Sequence, residues 1–284
     1  MNSLQSAKED QLRRMLRRHM GKAIEDWDLI EDGDRILVAM SGGKDSYVML
    51  DILRQLQRAA PVHFTILAYH LDQAQPGHDA TPLREWLAGE GVETCIERHD
   101  TYSVVVDKTE EGGTYCVLCS RLRRGILYSV AEREGCTKIA LGHHRDDVLE
   151  TLLLNMMFAG RLKTMPAILK ADDGRNTVIR PLIYCSEEVI ARYAEKRAFP
   201  ILPCNLCGSQ ENLWRQQAKE WLLGLEQKNP AIKSSMMTAL ANIRPSHLLD
   251  RTLRDAVAGL SLPGDQLQPG TYNQAASRLP ILGE

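Results

Sequence analysis

A short polar segment directly after an apolar run carries the most readily interpreted chemistry in this chain. The apolar run is Ile36-Leu37-Val38-Ala39-Met40, and the segment after it consists of Ser41, Gly42, Gly43, Lys44, Asp45 and Ser46. Two adjacent glycines let the backbone turn with positive φ and let a ligand approach it closely. A helix that starts there offers free N–H groups to an anion. The segment therefore predicts a phosphate site in which Lys44 adds charge, the serines add hydroxyls, and Asp45 holds a metal ion or a ribose.

Four of the seven cysteines form two matched C-x-x-C pairs. Cys116 and Cys119 make the first pair, Cys204 and Cys207 make the second, and 84 residues lie between the pairs. Two such pairs that meet in the fold suit tetrahedral zinc or an iron–sulfur cluster, and the spacing does not choose between them. We expect both pairs in loops. The other three are expected in the apolar core, namely Cys95, Cys136 and Cys185.

A second polar block, Gly142-His143-His144-Arg145-Asp146-Asp147, follows another apolar run and opens a predicted helix. The carboxylates of Asp146 and Asp147 suit either a functional site or the N-terminus of this helix, whose dipole they would complement. His143 is either a proton carrier near neutral pH or a packed histidine, and both readings stay open. Asp72 ends a predicted strand. Because ligands of open α/β sheets bind at the carboxyl ends of strands, Asp72 is expected beside the adenosine half of the nucleotide.

Basic residues that could neutralise nucleic-acid phosphates gather in the segments 13–22, 121–124 and 161–163. Arg121, Arg123 and Arg124 follow the first cysteine pair, so contact with RNA is expected there. Acidic neighbours make a solvated helix face the better interpretation of residues 8–14. Aromatic residues form only 5% of the chain, which leaves few candidates for base stacking.

Alternating apolar runs and amphipathic segments predict an α/β fold, a parallel five-stranded Rossmann-like sheet with helices on both faces. The predicted strands are 35–40, 63–71, 93–97, 138–141 and 177–179. The predicted helices are 6–24, 46–59, 82–91, 121–134, 146–158, 186–197, 212–225 and 232–242. We expect a basic helical segment at 1–30, a nucleotide-binding domain at 31–185, a helical region with the second cysteine pair at 186–260, and a poorly ordered tail at 261–284.

Composition restricts the class of protein. The chain has 284 residues, of which 44% are hydrophobic and 25% charged, as in ordinary globular proteins. No apolar run reaches the ~18 residues that span a bilayer, and the charged N-terminus lacks the apolar core of a secretory signal. An odd number of cysteines argues against a disulfide framework. These features predict a cytoplasmic location, and the net charge of −2 means that only local patches could attract nucleic acid.

The segment 41–46 resembles the pyrophosphate-binding loop, S-G-G-x-D-S, of the ATP pyrophosphatases (PP-loop proteins). Further motifs are similar to those of the tRNA 2-thiocytidine synthetases: the first cysteine pair before an Arg-rich helix, Pro203-Cys204-Asn205-Leu206-Cys207-Gly208-Ser209-Gln210, Arg180-Pro181-Leu182 and Pro245-Ser246-His247-Leu248. The resemblance spans residues 26–250. It implies an ATP-dependent enzyme that replaces the C2 oxygen of cytidine 32 in the anticodon loop of tRNA by sulfur, through an adenylated intermediate.

The same resemblance implies the cofactors and the residue roles. Lys44, Asp45, Asp146 and Asp147 would be catalytic. ATP would be bound by Ser41, Gly42, Gly43, Lys44, Asp45, Ser46, Asp72, Gly142 and His143, with Mg2+ on its phosphates. A [4Fe-4S] cluster would be held by Cys116, Cys119 and Cys204, with Cys207 as the alternative third ligand. A sulfur donor such as a cysteine desulfurase is expected, and the relatives often form homodimers.

Three alternatives stay open at this stage. Another PP-loop enzyme, such as a tRNA 2-thiouridine synthetase, a lysidine synthetase or an amidotransferase ligase, would share the loop. A zinc-stapled nucleotide- or RNA-binding module would need no catalysis. Within the thiolation reading, sulfur could arrive either on the open iron of the cluster or as a persulfide on the spare cysteine of the second pair.

Overall fold

The computed structural model describes residues 2–108, 115–202 and 211–257, with side chains except at 2–6, 115–117, 211–213 and 246. The chain divides into two compact units, Met1–Lys233 and Ser234–Glu284. The sheet and the segment 41–46 belong to the first unit. The domain boundaries predicted after residues 30, 185 and 260 stay a prediction, and the predicted tail 261–284 lies outside the described residues.

One mixed sheet organises the first unit. Its strands are β1 (Arg35–Ala39), β2 (Thr65–Asp72), β3 (Glu93–Arg98), β4 (Lys138–Ala140), β5 (Ile168–Lys170) and β6 (Thr177–Ile179). They are ordered β3-β2-β1-β4-β6-β5, and every pairing is parallel except that of β5 with β6. The α/β class and the five predicted strands are confirmed. The count of five was wrong, because β5 is three residues long and half-exposed and so lacks the apolar pattern of a buried strand.

Helices connect the strands. They are α1 (Asn2–Asp26), α2 (Lys44–Gln57), α3 (Thr81–Glu90), α4 (Thr101–Lys108), α5 (Tyr115–Arg133), α6 (Arg145–Phe158), α7 (Glu187–Arg197), α8 (Glu211–Lys228), α9 (Ile232–Leu240) and α10 (Arg251–Ala256), with a 3-10 turn at Pro245–His247. The eight predicted helices are present, whereas α4 and α10 were missed because each is too short to show a helical period. Among the described residues, no helix has the length and apolarity needed to cross a membrane.

The packing around β1 explains why a candidate site is expected at the carboxyl end of this strand. Ile36, Leu37 and Val38 are fully buried, as expected for a parallel strand covered on both faces. β1 pairs with β2 on one side and with β4 on the other. The connection that leaves β1 and the connection that arrives at β4 therefore run to opposite sides of β1. This topological switch opens a crevice at the strand's carboxyl end. α5 packs Val130 and Ala131 against the same strands, which fixes the position of α5 relative to the crevice.

Candidate functional site

The turn after β1 is built so closely that only glycine fits at its second position. Gly42 has a φ of 83°, in the left-handed region, and a Cβ there would lie 2.8 Å from Leu202 Cδ1. The carbonyl of Gly42 also accepts a hydrogen bond from Leu202 N–H at 2.9 Å. The segment before the second cysteine pair therefore lies directly on this turn.

The hydroxyls of Ser41 and Ser46 form hydrogen bonds within the turn that leads into α2. Ser41 Oγ accepts a hydrogen bond from Gly43 N–H at 3.3 Å, and Ser46 Oγ donates one to the Gly43 carbonyl at 2.8 Å. Gly43 is the N-cap residue, and no side chain caps the helix there. The first N–H groups of α2 are thus available to an anion, as the sequence predicts.

Lys44 lies between two carboxylates. Its Nζ is 3.1 Å from Asp45 Oδ1 and 3.3 Å from Glu187 Oε1. Burial alone would lower the pKa of the Lys44 ammonium, but Asp45 and Glu187 outweigh it and leave the pKa raised, so the group stays charged. Glu187, at the start of α7, was missed in the sequence. Its position in an ordinary Ser-Glu-Glu helix start carries no signal of a contact with the turn.

Asp45 offers a place for a divalent cation. Its Oδ1 is buried and lies 3.1 Å from Lys44 Nζ and 3.7 Å from His144 Nε2. A buried carboxylate oxygen of this kind fits Mg2+, which prefers one or two carboxylates together with phosphate oxygens. Among the described residues, no group of three or more His, Cys, Asp or Glu side chains is arranged to hold a metal ion. Phosphate oxygens would therefore have to complete the coordination.

The block 142–147 packs against the turn through its glycine. A Cβ on Gly142 would lie 3.4 Å from the backbone of both Asp45 and Ser46, in van der Waals contact with the start of α2. His144 then caps α6: its Nδ1 accepts from Asp147 N–H at 3.4 Å, and Asp147 Oδ2 accepts from His144 N–H at 2.9 Å. Gly142 was expected at the site from the sequence, whereas no role was expected for His144.

The two aspartates of this block are occupied by structural partners. Asp146 is buried, its Oδ2 accepts from Glu187 N–H at 2.8 Å, and its Oδ1 is 3.0 Å from Lys233 Nζ. Burial raises the pKa of Asp146, but these partners and Arg145 bring it below its usual value. Asp147 forms the reciprocal cap of α6. Asp146 thus holds α6 against the start of α7 and Asp147 caps α6, and the catalytic roles of both stay a prediction.

His143 is uncharged at neutral pH. Burial, followed by the positive charge of Arg180, lowers its pKa to about 4, and its buried Nδ1 has no hydrogen-bond partner in the described structure. Of the two readings that the sequence left open, the surroundings therefore favour a packed, uncharged histidine.

A cavity of about 210 Å3 opens beside the turn, at the carboxyl ends of β1 and β2. Ser41, Gly43, Gln73 and Arg123 line it. Asp72, expected at the adenosine, lies at the end of β2, and its Oδ1 accepts a hydrogen bond from Ala74 N–H at 2.8 Å, which shapes the turn after the strand. The glycine turn and the strand ends together fit a nucleotide bound at this edge.

The first cysteine pair lies next to this cavity. Cys116 and Cys119 are on the first turns of α5, so the expectation of a loop was wrong for this pair. Cys119 Sγ donates to the side-chain carbonyl of Gln73 at 3.2 Å, and Gln73 lines the cavity. Cys204 and Cys207 lie outside the described residues.

The three arginines predicted to contact RNA follow on the same helix but differ in surroundings. Arg121 and Arg124 are exposed, whereas Arg123 is half-buried and lines the cavity. Arg123 is therefore also placed to reach a nucleotide in the cavity.

A second cavity, of about 410 Å3, lies between α6, α7 and α8 and is lined mainly by charged side chains. Glu150, which is buried there, has its pKa raised to about 7 by burial and by the negative charge of Asp147. Arg215 and Lys219 oppose this rise, and Glu187 adds to it. The folded state therefore binds more protons than the unfolded state between the ordinary pKa of 4.5 and about 7.

We expect Glu150→Gln to stabilise the protein at high pH. Because the folded-state pKa is raised, the wild type loses stability as the pH rises through this window, and the variant does not. Urea unfolding at about pH 8 should show a gain on the order of 2 kcal/mol that vanishes below about pH 4.5. An equal gain at both pH values would instead attribute it to better packing of the amide.

Comparisons with known proteins agree with this geometry. The sequence profile of a family described as PP-loop domain matches residues 11–201. A tRNA-cytidine(32) 2-sulfurtransferase from Aeromonas salmonicida is 56% identical over 246 residues, covering 87% of this chain and 82% of that protein. One from Pseudomonas paraeruginosa is 57% identical over 250 residues, covering 88% of this chain and 91% of that protein. Among solved structures, the U34-tRNA thiolase NcsA from Methanococcus maripaludis, with its [4Fe-4S] cluster, aligns with a TM-score of 0.62 at 20% identity, covering 89% and 88%.

Proposed function

Because the chain belongs to the tRNA-cytidine(32) 2-sulfurtransferase family of PP-loop proteins, we propose that it uses ATP to replace the C2 oxygen of cytidine 32 in tRNA by sulfur. One observation of the structure supports this most directly. The first cysteine pair begins a helix beside the cavity of the glycine turn, and Gln73 contacts both. A nucleotide bound in the cavity and sulfur carried near Cys119 would therefore lie within one side chain of each other.

The turn would act on the phosphates of ATP. Carbonyl oxygen on a pyrimidine is a poor leaving group, and adenylation converts it into part of AMP, which leaves readily. We propose that the N–H groups at the start of α2 and the ammonium of Lys44 stabilise the negative charge that develops on the departing pyrophosphate. Asp45, whose buried carboxylate oxygen lies beside the Lys44 ammonium, would orient Mg2+ on the phosphates.

The first cysteine pair supplies the donor chemistry that an iron–sulfur cluster requires, namely cysteine thiolates. Cys116 and Cys119 would bind the cluster together with Cys204, or with Cys207 in its place. Three protein ligands leave one iron able to bind the sulfur that is to be transferred. The structure assigns the second pair no position, so the choice between Cys204 and Cys207 stays a prediction.

The partners follow from the same reaction. The substrate is tRNA, and the sulfur must come from a separate donor, for which a cysteine desulfurase is the expected class. We further propose a homodimer in the cytoplasm, where cysteines stay reduced and available to iron.

The decisive experiment is reconstitution under anaerobic conditions. Purified protein should contain about four iron atoms per chain with broad absorption near ~400 nm. With ATP, Mg2+ and sulfide, it should convert cytidine 32 of unmodified tRNA to 2-thiocytidine, detected by mass analysis of nucleosides. Thiolation of uridine alone would favour a 2-thiouridine synthetase. A colourless protein with one bound zinc ion and no AMP formation would favour the binding module.

We expect Arg121→Ala with Arg124→Ala to weaken tRNA binding about five- to tenfold at moderate salt. Both arginines are exposed beside the first cysteine pair, and removing two phosphate contacts should reduce the slope of log Kd against log salt by about 2. Filter binding at several salt concentrations would measure this.

Arg133→Ala is the matched control, because it removes a cation from the far end of the same helix. Arg133 is paired with Glu97 at 2.5 Å and with Glu134 at 2.9 Å. Its replacement should therefore leave the slope of log Kd against log salt unchanged. Equal effects of the two changes would mean that only net charge matters.

A further inference from the structure

Gln73 connects the two halves of the candidate site. It follows directly after β2 and lines the cavity beside the glycine turn. Its side-chain oxygen accepts hydrogen bonds from Cys119 Sγ at 3.2 Å and from Thr101 Oγ1 at 3.3 Å. Thr101 is buried at the start of α4. A single carboxamide is therefore in contact with the cavity, with α4 and with the cysteine-bearing helix.

The backbone around Gln73 holds this side chain in place. The carbonyl of Gln73 accepts from Tyr102 N–H at 3.2 Å, and the carbonyl of Asp72 accepts from His99 N–H at 2.9 Å. Ala74 adopts a φ of 59°, and its N–H donates to the Asp72 side chain at 2.8 Å. Three hydrogen bonds on three consecutive residues thus fix the turn, so the direction of the carboxamide is determined by the fold.

We propose that Gln73 donates an N–H···S hydrogen bond to Cys119 when that sulfur is a cluster ligand, and that it links the cluster to the contents of the nucleotide cavity. The inference rests on the proposed function. A thiol donates its proton to the carboxamide oxygen, whereas a metal-bound thiolate can only accept. A half-turn of the carboxamide exchanges its oxygen for the NH2 group. The Thr101 hydroxyl both donates and accepts, so it satisfies either orientation.

A hydrogen bond to a ligand sulfur stabilises the more negative, reduced form of a cluster and so raises its reduction potential. Gln73 is therefore a positioning residue with a spectroscopic signature. A nucleotide that displaces the carboxamide from the cavity wall changes this hydrogen bond, and the cluster then senses whether ATP is bound.

The test compares three variants as anaerobically purified, cluster-loaded proteins. Gln73→Leu removes the donor, and Gln73→Glu replaces the NH2 group by oxygen with little change in shape. Gln75→Leu is the matched control, because Gln75 lines the same cavity two residues further along. Redox titration followed by electron paramagnetic resonance measures the balance of oxidised and reduced cluster, with and without an ATP analogue that carries a methylene group between the α- and β-phosphates.

Gln73→Leu should shift this balance about three- to tenfold toward the oxidised form, where tenfold corresponds to about 59 mV for one electron. Gln73→Glu should shift it further because of the added charge, and Gln75→Leu should not. The analogue should shift the wild-type balance and lose this effect in Gln73→Leu.

Three outcomes would overturn this inference without overturning the proposed function. They are an unchanged balance of oxidised and reduced cluster in Gln73→Leu, an equal shift of that balance in Gln75→Leu, and folded Gln73 variants that bind no iron. Absence of iron from the wild type would overturn the proposed function as well.

Discussion

Gly42→Ala should destabilise the protein by about 2–5 kcal/mol and reduce ATP-dependent AMP formation at least about 100-fold. A left-handed φ costs an alanine roughly 1–2 kcal/mol, and overpacking of a filled site costs about 1–3 kcal/mol. Both apply here, because the φ is 83° and the new Cβ would lie 2.8 Å from Leu202. Relief of the contact moves the backbone N–H groups that the turn aims at phosphate. Urea unfolding and AMP release measure the two effects.

Gly43→Ala is the matched control for stability. Gly43 has a φ of −83°, which any residue adopts, and among the described residues a Cβ there would meet only Ser41 Oγ, at 3.5 Å. We expect a loss below about 1 kcal/mol. Adding Leu202→Gly to Gly42→Ala should remove the overpacking part, because it takes away Leu202 Cβ, 2.9 Å from the new Cβ, as well as Cγ and Cδ1. The backbone part should remain, so the two changes should be non-additive. Strict additivity would show that Leu202 does not restrict the turn.

Lys44→Met should lower the rate of pyrophosphate release about 100- to 1,000-fold, the usual cost of losing one preorganised group that stabilises charge in the transition state. Methionine keeps much of the length of the side chain and removes only its charge. Lys44 starts α2 and stays charged between Asp45 and Glu187, so its ammonium is positioned before ATP arrives. Single-turnover release of pyrophosphate separates this effect from that of later steps.

Lys219→Met tests whether Lys44 acts only by neutralising Glu187. Lys219 Nζ lies 2.6 Å from the other oxygen of Glu187, so the two lysines share one carboxylate. We expect a less than about threefold change in the rate for Lys219→Met, since exposed ion pairs contribute little. Comparable losses in both variants would indicate a structural role for Lys44 and contradict the proposed part of this residue in catalysis.

Local patterns in the sequence were sufficient for the elements that position the site. An apolar run followed by two glycines and a helix start predicted the β1 turn, because strand, turn and helix are all specified within about twenty residues. The apolar periodicity found the five parallel strands and eight helices. The first cysteine pair and the block 142–147 were located for the same reason, and both lie at the carboxyl edge of the sheet.

Contacts between distant segments could not be found in this way. Leu202 on Gly42, Glu187 on Lys44 and Gln73 on Cys119 each join elements that are far apart along the chain. Likewise, Asp146 reads as a nucleotide ligand in isolation, but Lys233 and the start of α7 surround it.

The sequence by itself determined which groups could bind phosphate and iron, because side-chain chemistry and local backbone preference are properties of short segments. Only the tertiary structure decided which of these groups remain available and which are used to join helices. That choice depends on how buried surfaces pack together, and packing brings together residues whose separation along the chain carries no local signal.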